Sequence, residues 1–73
     1  MSIKITDSLM RLEINGSVIA TAQRREDSWW EVTRWPRFLD RNQAVTALTV
    51  TELLATGHSA DDLLIVALRE ELR

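Results

Sequence analysis

The chain has 73 residues, of which 45% are hydrophobic and 27% are charged, and it carries a formal net charge of -2. The absence of cysteine excludes disulfides and cysteine-containing metal sites, and the acidic balance argues against a protein whose main role is to neutralise phosphates. A single hydrophobic core of this size contributes only about 3 to 5 kcal/mol of net stability, so self-association is a natural way to add more.

The composition is that of one ordered domain covering residues 1–73. The N-terminal sequence lacks the apolar core and cleavage site of a secretion signal, and no apolar run approaches the roughly 18 residues of a membrane span. We therefore expect a cytoplasmic protein with no membrane partner.

Residues 9–33 are predicted to form a three-stranded antiparallel β-meander, and residues 2–6 could add a short edge strand. Asn15-Gly16 marks the first hairpin, because both residue types tolerate the positive φ of a tight turn. Two registers are open. A two-residue turn would pair Leu12 with Ile19, whereas a turn ending in a bulge at Gly16 would pair Leu12 with Val18. We favour the second, since it places one apolar set on a single face: Met10, Leu12, Val18, Ala20 and Ala22.

A third strand is predicted at residues 29–33, after the polar segment 24–28. Trp30 and Val32 would share one face of this strand, and Trp29 and Glu31 the other. The strand should end at the Trp-Pro pair 35–36, because proline brings no backbone donor to a sheet.

Two helices follow, at about residues 40–56 and 60–72, which completes a βββαα arrangement of the α+β class. Asp40 is the predicted N-cap of the first helix, with Gln43 completing a capping box, and Gly57 is placed to end it. Ser59, followed by two aspartates, is the predicted cap of the second helix. One stripe of the first helix should face the sheet: Ala44, Ala47, Leu48, Thr51, Leu54 and Ala55.

The second helix contains six successive apolar residues, LLIVAL at 63–68, which surround the helix axis instead of forming one stripe. A small domain can cover only one side of such a helix. The pattern therefore predicts a homodimer through the C-terminal helix. The expected interface residues are Val50, Leu53, Leu64, Ile65, Leu68 and Leu72.

The segment WWEVTRWPRF at 29–38 contains all four aromatic residues of the chain. One hypothesis is a sheet face that stacks on bases and contacts phosphates. Its candidate residues are Arg24, Arg25, Trp29, Arg34 and Arg37.

The alternative interpretation is structural: Trp30 and Phe38 belong to the core, and Trp35 covers the junction between sheet and helix. The arginines would then be solvated or paired with acids, namely Glu26, Asp27, Glu31 and Asp40. Residues 23–41 contain five basic and four acidic side chains, so mutual pairing would leave little net attraction for phosphates. We favour the structural interpretation.

Enzymatic and metal sites are not expected. The chain has one histidine, His58, in the turn between the helices, and no cysteine to complete a metal site. Both glycines are used by a turn and a helix end, which leaves no phosphate-binding loop. A helix-turn-helix is disfavoured because Asp61 and Asp62 would meet the phosphates.

The segment WWEVTRWPRFLDRNQAVTALTVTELLATG, together with the closing ALREEL, resembles short proteins of unassigned function from high-GC Gram-positive bacteria and their phages. The resemblance covers about residues 29–73 and rests on WEVTRWPR and FLDRNQAVTALTVTELL. It implies a bacterial or phage cytoplasmic setting, and no activity, cofactor or site residue comes with it.

These observations predict a small non-enzymatic protein-interaction module or adaptor, homodimeric through its C-terminal helix, without a cofactor. A DNA-binding accessory or regulatory protein that uses the arginine- and tryptophan-bearing sheet face is the alternative.

Overall fold

A computed structural model describes residues 3–72, apart from the side chain of Asp27. The predicted domain also included Met1 and Arg73, and the predicted edge strand included Ser2; these lie outside the described residues. The described part contains strands β1 (Ile3–Ile5), β2 (Leu9–Ile14), β3 (Ser17–Arg24) and β4 (Trp30–Val32), followed by α-helices α1 (Arg41–Ala55) and α2 (Leu63–Glu70). A short 3₁₀ helix (Glu26–Ser28) connects β3 to β4.

The α+β class is confirmed, but the prediction of three strands is wrong. The strands form a four-stranded antiparallel sheet in the order β1-β2-β3-β4. The additional strand is β1, in which Ile3 lies opposite Leu12 and Ile5 opposite Met10. It lies at the edge of the sheet and within residues 2–6, where the sequence indicated a possible short edge strand.

The β2–β3 hairpin turns at Asn15-Gly16, as predicted. Both residues have positive φ, 52° and 80°, which is the requirement of a two-residue type I′ turn. Ile14 lies opposite Ser17 and closes the turn.

A bulge then changes the register, and both predicted pairings of Leu12 are wrong. The register shifts between Leu12 and Glu13, so that Leu12 lies opposite Ala20 and Glu13 opposite Val18. The extra residue is Ile19. Val18 is therefore on the face of the sheet away from the helices and is 51% exposed. The bulge was expected at Gly16 and lies instead within β3.

β4 confirms the predicted alternation over a shorter strand. Trp30 and Val32 are each only 2% exposed, whereas Trp29 and Glu31 are exposed. The free edge of β4 is covered by Leu39, whose backbone exchanges two hydrogen bonds with Trp30, of 2.7 and 2.9 Å.

The prediction that Phe38 belongs to the core is wrong. Phe38 is 54% exposed, and the next residue, Leu39, is fully buried in its place. Because Leu39 pairs with β4, its side chain is the one directed under the helices. Trp35 is partly buried against the core, as predicted.

α1 begins at the predicted capping box. The Asp40 carboxylate accepts a 2.8 Å hydrogen bond from the backbone N–H of Gln43. In return, the side-chain oxygen of Gln43 accepts a 3.2 Å hydrogen bond from the backbone N–H of Asp40. The helix ends at Ala55, and Gly57 follows its C-cap with a φ of 102°. The N–H of Gly57 donates to the carbonyl of Leu54, and the N–H of His58 donates to the carbonyl of Leu53. This is the Schellman arrangement, and it turns the chain back toward α2.

The core lies between one face of the sheet and the two helices. α1 packs on β2, β3 and β4, and α2 packs on α1. Three residues of the predicted α1 stripe are fully buried: Ala44, Ala47 and Leu48. Ala55, at the end of the helix, is exposed. The other buried apolar residues are Met10, Leu12, Ala20, Ala22, Trp30, Val32, Leu39, Val50, Ile65 and Leu72.

Candidate functional site

α2 begins later than predicted, because Asp62 and not Ser59 is its N-cap. The Asp62 carboxylate accepts a 2.9 Å hydrogen bond from the backbone N–H of Leu64. The Ser59 hydroxyl donates instead to the carboxylate of Asp61. This bond, together with a backbone hydrogen bond, lowers the pKa of Asp61 below its ordinary value of 3.8, so this exposed side chain is ionised at neutral pH.

The apolar residues of α2 divide sharply between the core and solvent. Ile65 is fully buried, whereas Leu63 is 86% exposed, Leu64 53% and Val66 42%. We refer to Leu63, Leu64 and Val66 as the α2 apolar face. Three large aliphatic side chains on about one turn of helix form an exposed patch of the kind that marks interaction surfaces.

The predicted interface residues divide into three groups: buried, half-buried and exposed. Val50, Ile65 and Leu72 are at most 5% exposed and belong to the core of the protomer. Leu53 and Leu68 are half-buried, and Leu64 lies on the α2 apolar face.

Sequence reasoning missed Leu63 and Val66. The signal for Leu63 was its position two residues before Ile65, which places the two side chains about 200° apart on a helix. Once Ile65 is assigned to the core, Leu63 must face away from it.

An open groove of about 750 Å³ lies beside α2. We call this feature the groove. Residues from β3, the β4–α1 connection, α1, and α2 with the residues just after it line the groove. The larger apolar residues of this lining are Ile19, Trp35, Pro36, Val50, Leu54 and Leu72.

The β3 bulge explains why Ile19 reaches the groove. In a regular strand Ile19 would point away from the helices, since its neighbour Ala20 points toward them and is 6% exposed. The register shift leaves Ile19 unpaired, and it lines the groove beside Ala20. A bulge commonly redirects a side chain in this way.

Two cations lie at the groove, Arg34 from the turn after β4 and Arg69 from the last turn of α2. Arg34 has a φ of 68°, in the left-handed region that non-glycine residues rarely adopt. Among the side chains that the structure describes, neither guanidinium lies within salt-bridge distance of a carboxylate. The groove thus combines an apolar lining with positive charge.

The face of the sheet away from the helices carries charges of both signs, and these are paired. Lys4 and Arg11 lie 3.5 and 3.8 Å from the carboxylate of Glu13. Arg25 pairs with Glu31, as the structural interpretation predicted. Little positive charge remains on this face to attract a phosphate.

The residues predicted for nucleic-acid contact do not share one face. Arg24 lies opposite Trp30 in the sheet and is therefore directed to the helix side, whereas Arg25 is paired beside Glu31. The other candidates are placed elsewhere: Trp29 is 48% exposed next to β4, Arg34 lines the groove, and Arg37 is exposed in the β4–α1 connection.

His58 lies in the exposed turn between the helices, with its Nδ1 3.5 Å from the carboxylate of Asp62. The part of the chain that the structure describes contains no group of three histidine, cysteine, aspartate or glutamate side chains that could hold a metal ion.

Neither helix in residues 3–72 is long and apolar enough to cross a membrane. The chain matches no protein-family model, no curated protein and no solved structure. The resemblance to short proteins of high-GC Gram-positive bacteria and their phages therefore stays a prediction.

Proposed function

We propose that the chain is a small non-enzymatic protein-interaction module that forms a homodimer through the α2 apolar face. The exposure of Leu63, at 86%, together with that of Leu64 and Val66, supports this proposal. The hydrophobic effect favours removing these side chains from water, by about 25 cal/mol for each Å² of apolar surface buried. A second copy of the chain presents the same apolar surface, so burying it in a homodimer requires no other protein.

The small size of the domain supports the same proposal. In and just after α2, only Ile65 and Leu72 are buried among the described residues, and Leu68 is half-buried. A core of this size leaves a margin of only about 3 to 5 kcal/mol. Burial of the opposite side of α2 in an interface would add stability to the least covered helix.

A binding role accords better than catalysis with the residues around the groove. The described residues that line it include Arg34, Arg69, Thr33 and Thr51, but no carboxylate or histidine. Such a lining has no group that could act as a general acid or base near neutral pH, whereas apolar surface with a few charges is typical of a docking site.

Sedimentation equilibrium tests the homodimer. The wild-type protein is expected at twice the chain mass of 8.4 kDa, and Leu63→Glu is expected to sediment as a monomer. Leu63 is the first residue of α2, where an acid interacts favourably with the helix dipole, so this variant should remain folded.

Phe38→Glu is the matched control. It makes the same change at a side chain that is 54% exposed and lies outside both the α2 apolar face and the groove. We expect it to remain dimeric. A wild-type protein that stays at 8.4 kDa up to millimolar concentration would refute the proposal.

Nucleic-acid binding is the competing proposal, and it is motivated by the half-exposed Trp29 and by Arg34 and Arg37 nearby in the chain. It predicts that the protein binds labelled mixed-sequence duplex DNA at low salt, that binding weakens steeply as salt increases, and that Arg34→Ala reduces it. Fluorescence anisotropy without a detectable change at low salt would remove the non-specific component.

A further inference from the structure

We propose that the groove of each protomer receives the segment Asp61–Leu64 of a second copy, so that the homodimer is held by two equivalent contacts. This inference rests on the proposed homodimer and specifies how its two chains meet. It is based on two complementary surfaces of the same chain. The groove is apolar with positive charge, and the segment Asp61–Leu64 is apolar with negative charge.

The charges of the two surfaces are opposite. Arg34 and Arg69 lie at the groove, and neither is within salt-bridge distance of a carboxylate whose side chain the structure describes. The segment that begins α2 presents Asp61 and Asp62 directly before the exposed Leu63. The Ser59 hydroxyl favours the ionised form of Asp61. Opposite charges placed in this way guide association and fix its register.

The apolar parts are also complementary. Leu63 and Leu64 project from the protomer, and the groove of about 750 Å³ is lined largely by apolar side chains. This volume falls within the range of about 300 to 1,000 Å³ that is typical of sites that bury small ligands. Aliphatic side chains inserted there would displace water from apolar surface on both chains.

The positions of both features on α2 permit two equivalent contacts. Leu63, Val66 and Arg69 are spaced by three residues, so each is adjacent to the next on the helix surface, and Val66 lies between Leu63 and Arg69, which are about 120° apart around the axis. Leu63 lies at the N-terminal end, and Arg69 lines the groove at the C-terminal end, about 9 Å away along the axis.

If two α2 helices pack antiparallel about a two-fold axis, the N-terminal end of each lies over the groove of the other. Val66 is midway between Leu63 and Arg69, so it would lie close to the axis and contact its own copy. The same surface is then used by both chains, which is the defining property of a closed two-fold interface.

An exchange of charges tests this arrangement. Arg34→Asp and Asp61→Arg each place like charges in both contacts of a homodimer, and we expect each to weaken dimerisation by at least about tenfold, as followed by sedimentation equilibrium. Aspartate is suited to position 34 because it tolerates the left-handed backbone conformation. Asp61 is exposed and is not the N-cap, so its replacement should leave α2 intact.

Mixing the two variants gives the decisive result. In a heterodimer, one contact is the native Arg34–Asp61 pair and the other is the same pair with its charges exchanged. The two weakened variants should therefore form a heterodimer, detected by native mass spectrometry. Arg37→Asp is the matched control, since this exposed residue of the same connection does not line the groove, and it should dimerise like the wild type.

The outcomes separate this inference from the proposed homodimer. The homodimer is supported if the wild type dimerises and Leu63→Glu does not. In that case, this arrangement is still wrong if Arg34→Asp dimerises normally or if the mixture gives no heterodimer. A monomeric wild type overturns both, and an acidic peptide that then bound the groove would identify a different occupant. Should Arg34→Asp fail to fold, Arg69→Glu takes its place in the mixing experiment.

Discussion

Ile65 and Leu63 lie two residues apart on α2 and have opposite environments, since Ile65 is fully buried and Leu63 is 86% exposed. The contrast follows from helix geometry, which turns the two side chains about 200° from each other. One side of α2 therefore belongs to the core, and the other is exposed to solvent.

This contrast predicts that substitution by valine changes the free energy of unfolding by different amounts at the two positions. Ile65→Val should lower the free energy of unfolding by about 0.5 to 1.5 kcal/mol, because it removes a buried methylene group. Leu63→Val should change it by less than about 0.5 kcal/mol in the monomer, because the side chain is in solvent. Urea denaturation at a protein concentration low enough to dissociate dimers measures both, and equal losses would contradict the assigned environments.

The hairpin turn provides a second prediction. Gly16→Ala should destabilise the protein by about 1 to 2 kcal/mol, because an L-residue is strained at the φ of 80° found there. Steric contact does not contribute, since a Cβ at this position would have no heavy atom within 4 Å. The free energy of unfolding from urea denaturation measures the change.

A chemically synthesised chain with D-alanine at position 16 is the control. The D-residue favours positive φ, so it should be at least as stable as the glycine protein. If both alanine enantiomers destabilise equally, the strain explanation is wrong.

The capping box of α1 predicts that Asp40→Ala lowers the free energy of unfolding by about 1 kcal/mol, because it leaves the backbone N–H of Gln43 without its acceptor. Asp40→Asn should recover most of the loss. Asp7→Ala, at an exposed aspartate outside both helices, is the matched control and should be nearly neutral. Thermal denaturation followed by circular dichroism measures all three, and an equal effect of Asp7→Ala would contradict the assignment.

The hydrogen bond from Ser59 to Asp61, in the turn before α2, predicts that the pKa of Asp61 changes when Ser59 is replaced. Ser59→Ala removes the hydroxyl that donates to Asp61, so the pKa of Asp61 should rise toward its ordinary value. A carboxyl whose pKa is lower in the folded protein stabilises the fold at a pH above its unfolded value, and this contribution is lost as the pH falls through the folded value. The wild type should therefore lose slightly more stability on acidification than Ser59→Ala. NMR titration of the Asp61 carboxyl measures the shift, and an unchanged pKa would contradict this origin.

Several local features could be predicted because few neighbouring residues decide them. The Asn15-Gly16 turn depends on two residues that tolerate positive φ. The start of α1 depends on the Asp40–Gln43 exchange, and its end on Gly57. The alternation of Trp30 and Val32 into the core likewise follows from the geometry of a single strand.

Other features depend on contacts between distant segments. The bulge that directs Ile19 to the groove arises from the pairing of β2 with β3, and the burial of Leu39 in place of Phe38 depends on its bridge to Trp30. The candidate site has the same origin, since the groove is assembled from four separate parts of the chain.

The sequence by itself determined that α2 carries more apolar surface than one small domain can cover, because six successive apolar residues surround a helix axis. Only the tertiary structure decided which side remains exposed. Packing on α1 placed Ile65 and Leu72 inside and left Leu63, Leu64 and Val66 outside. Helical periodicity fixes the angles between side chains on one helix, but the direction of the core is set by the other elements that pack against it.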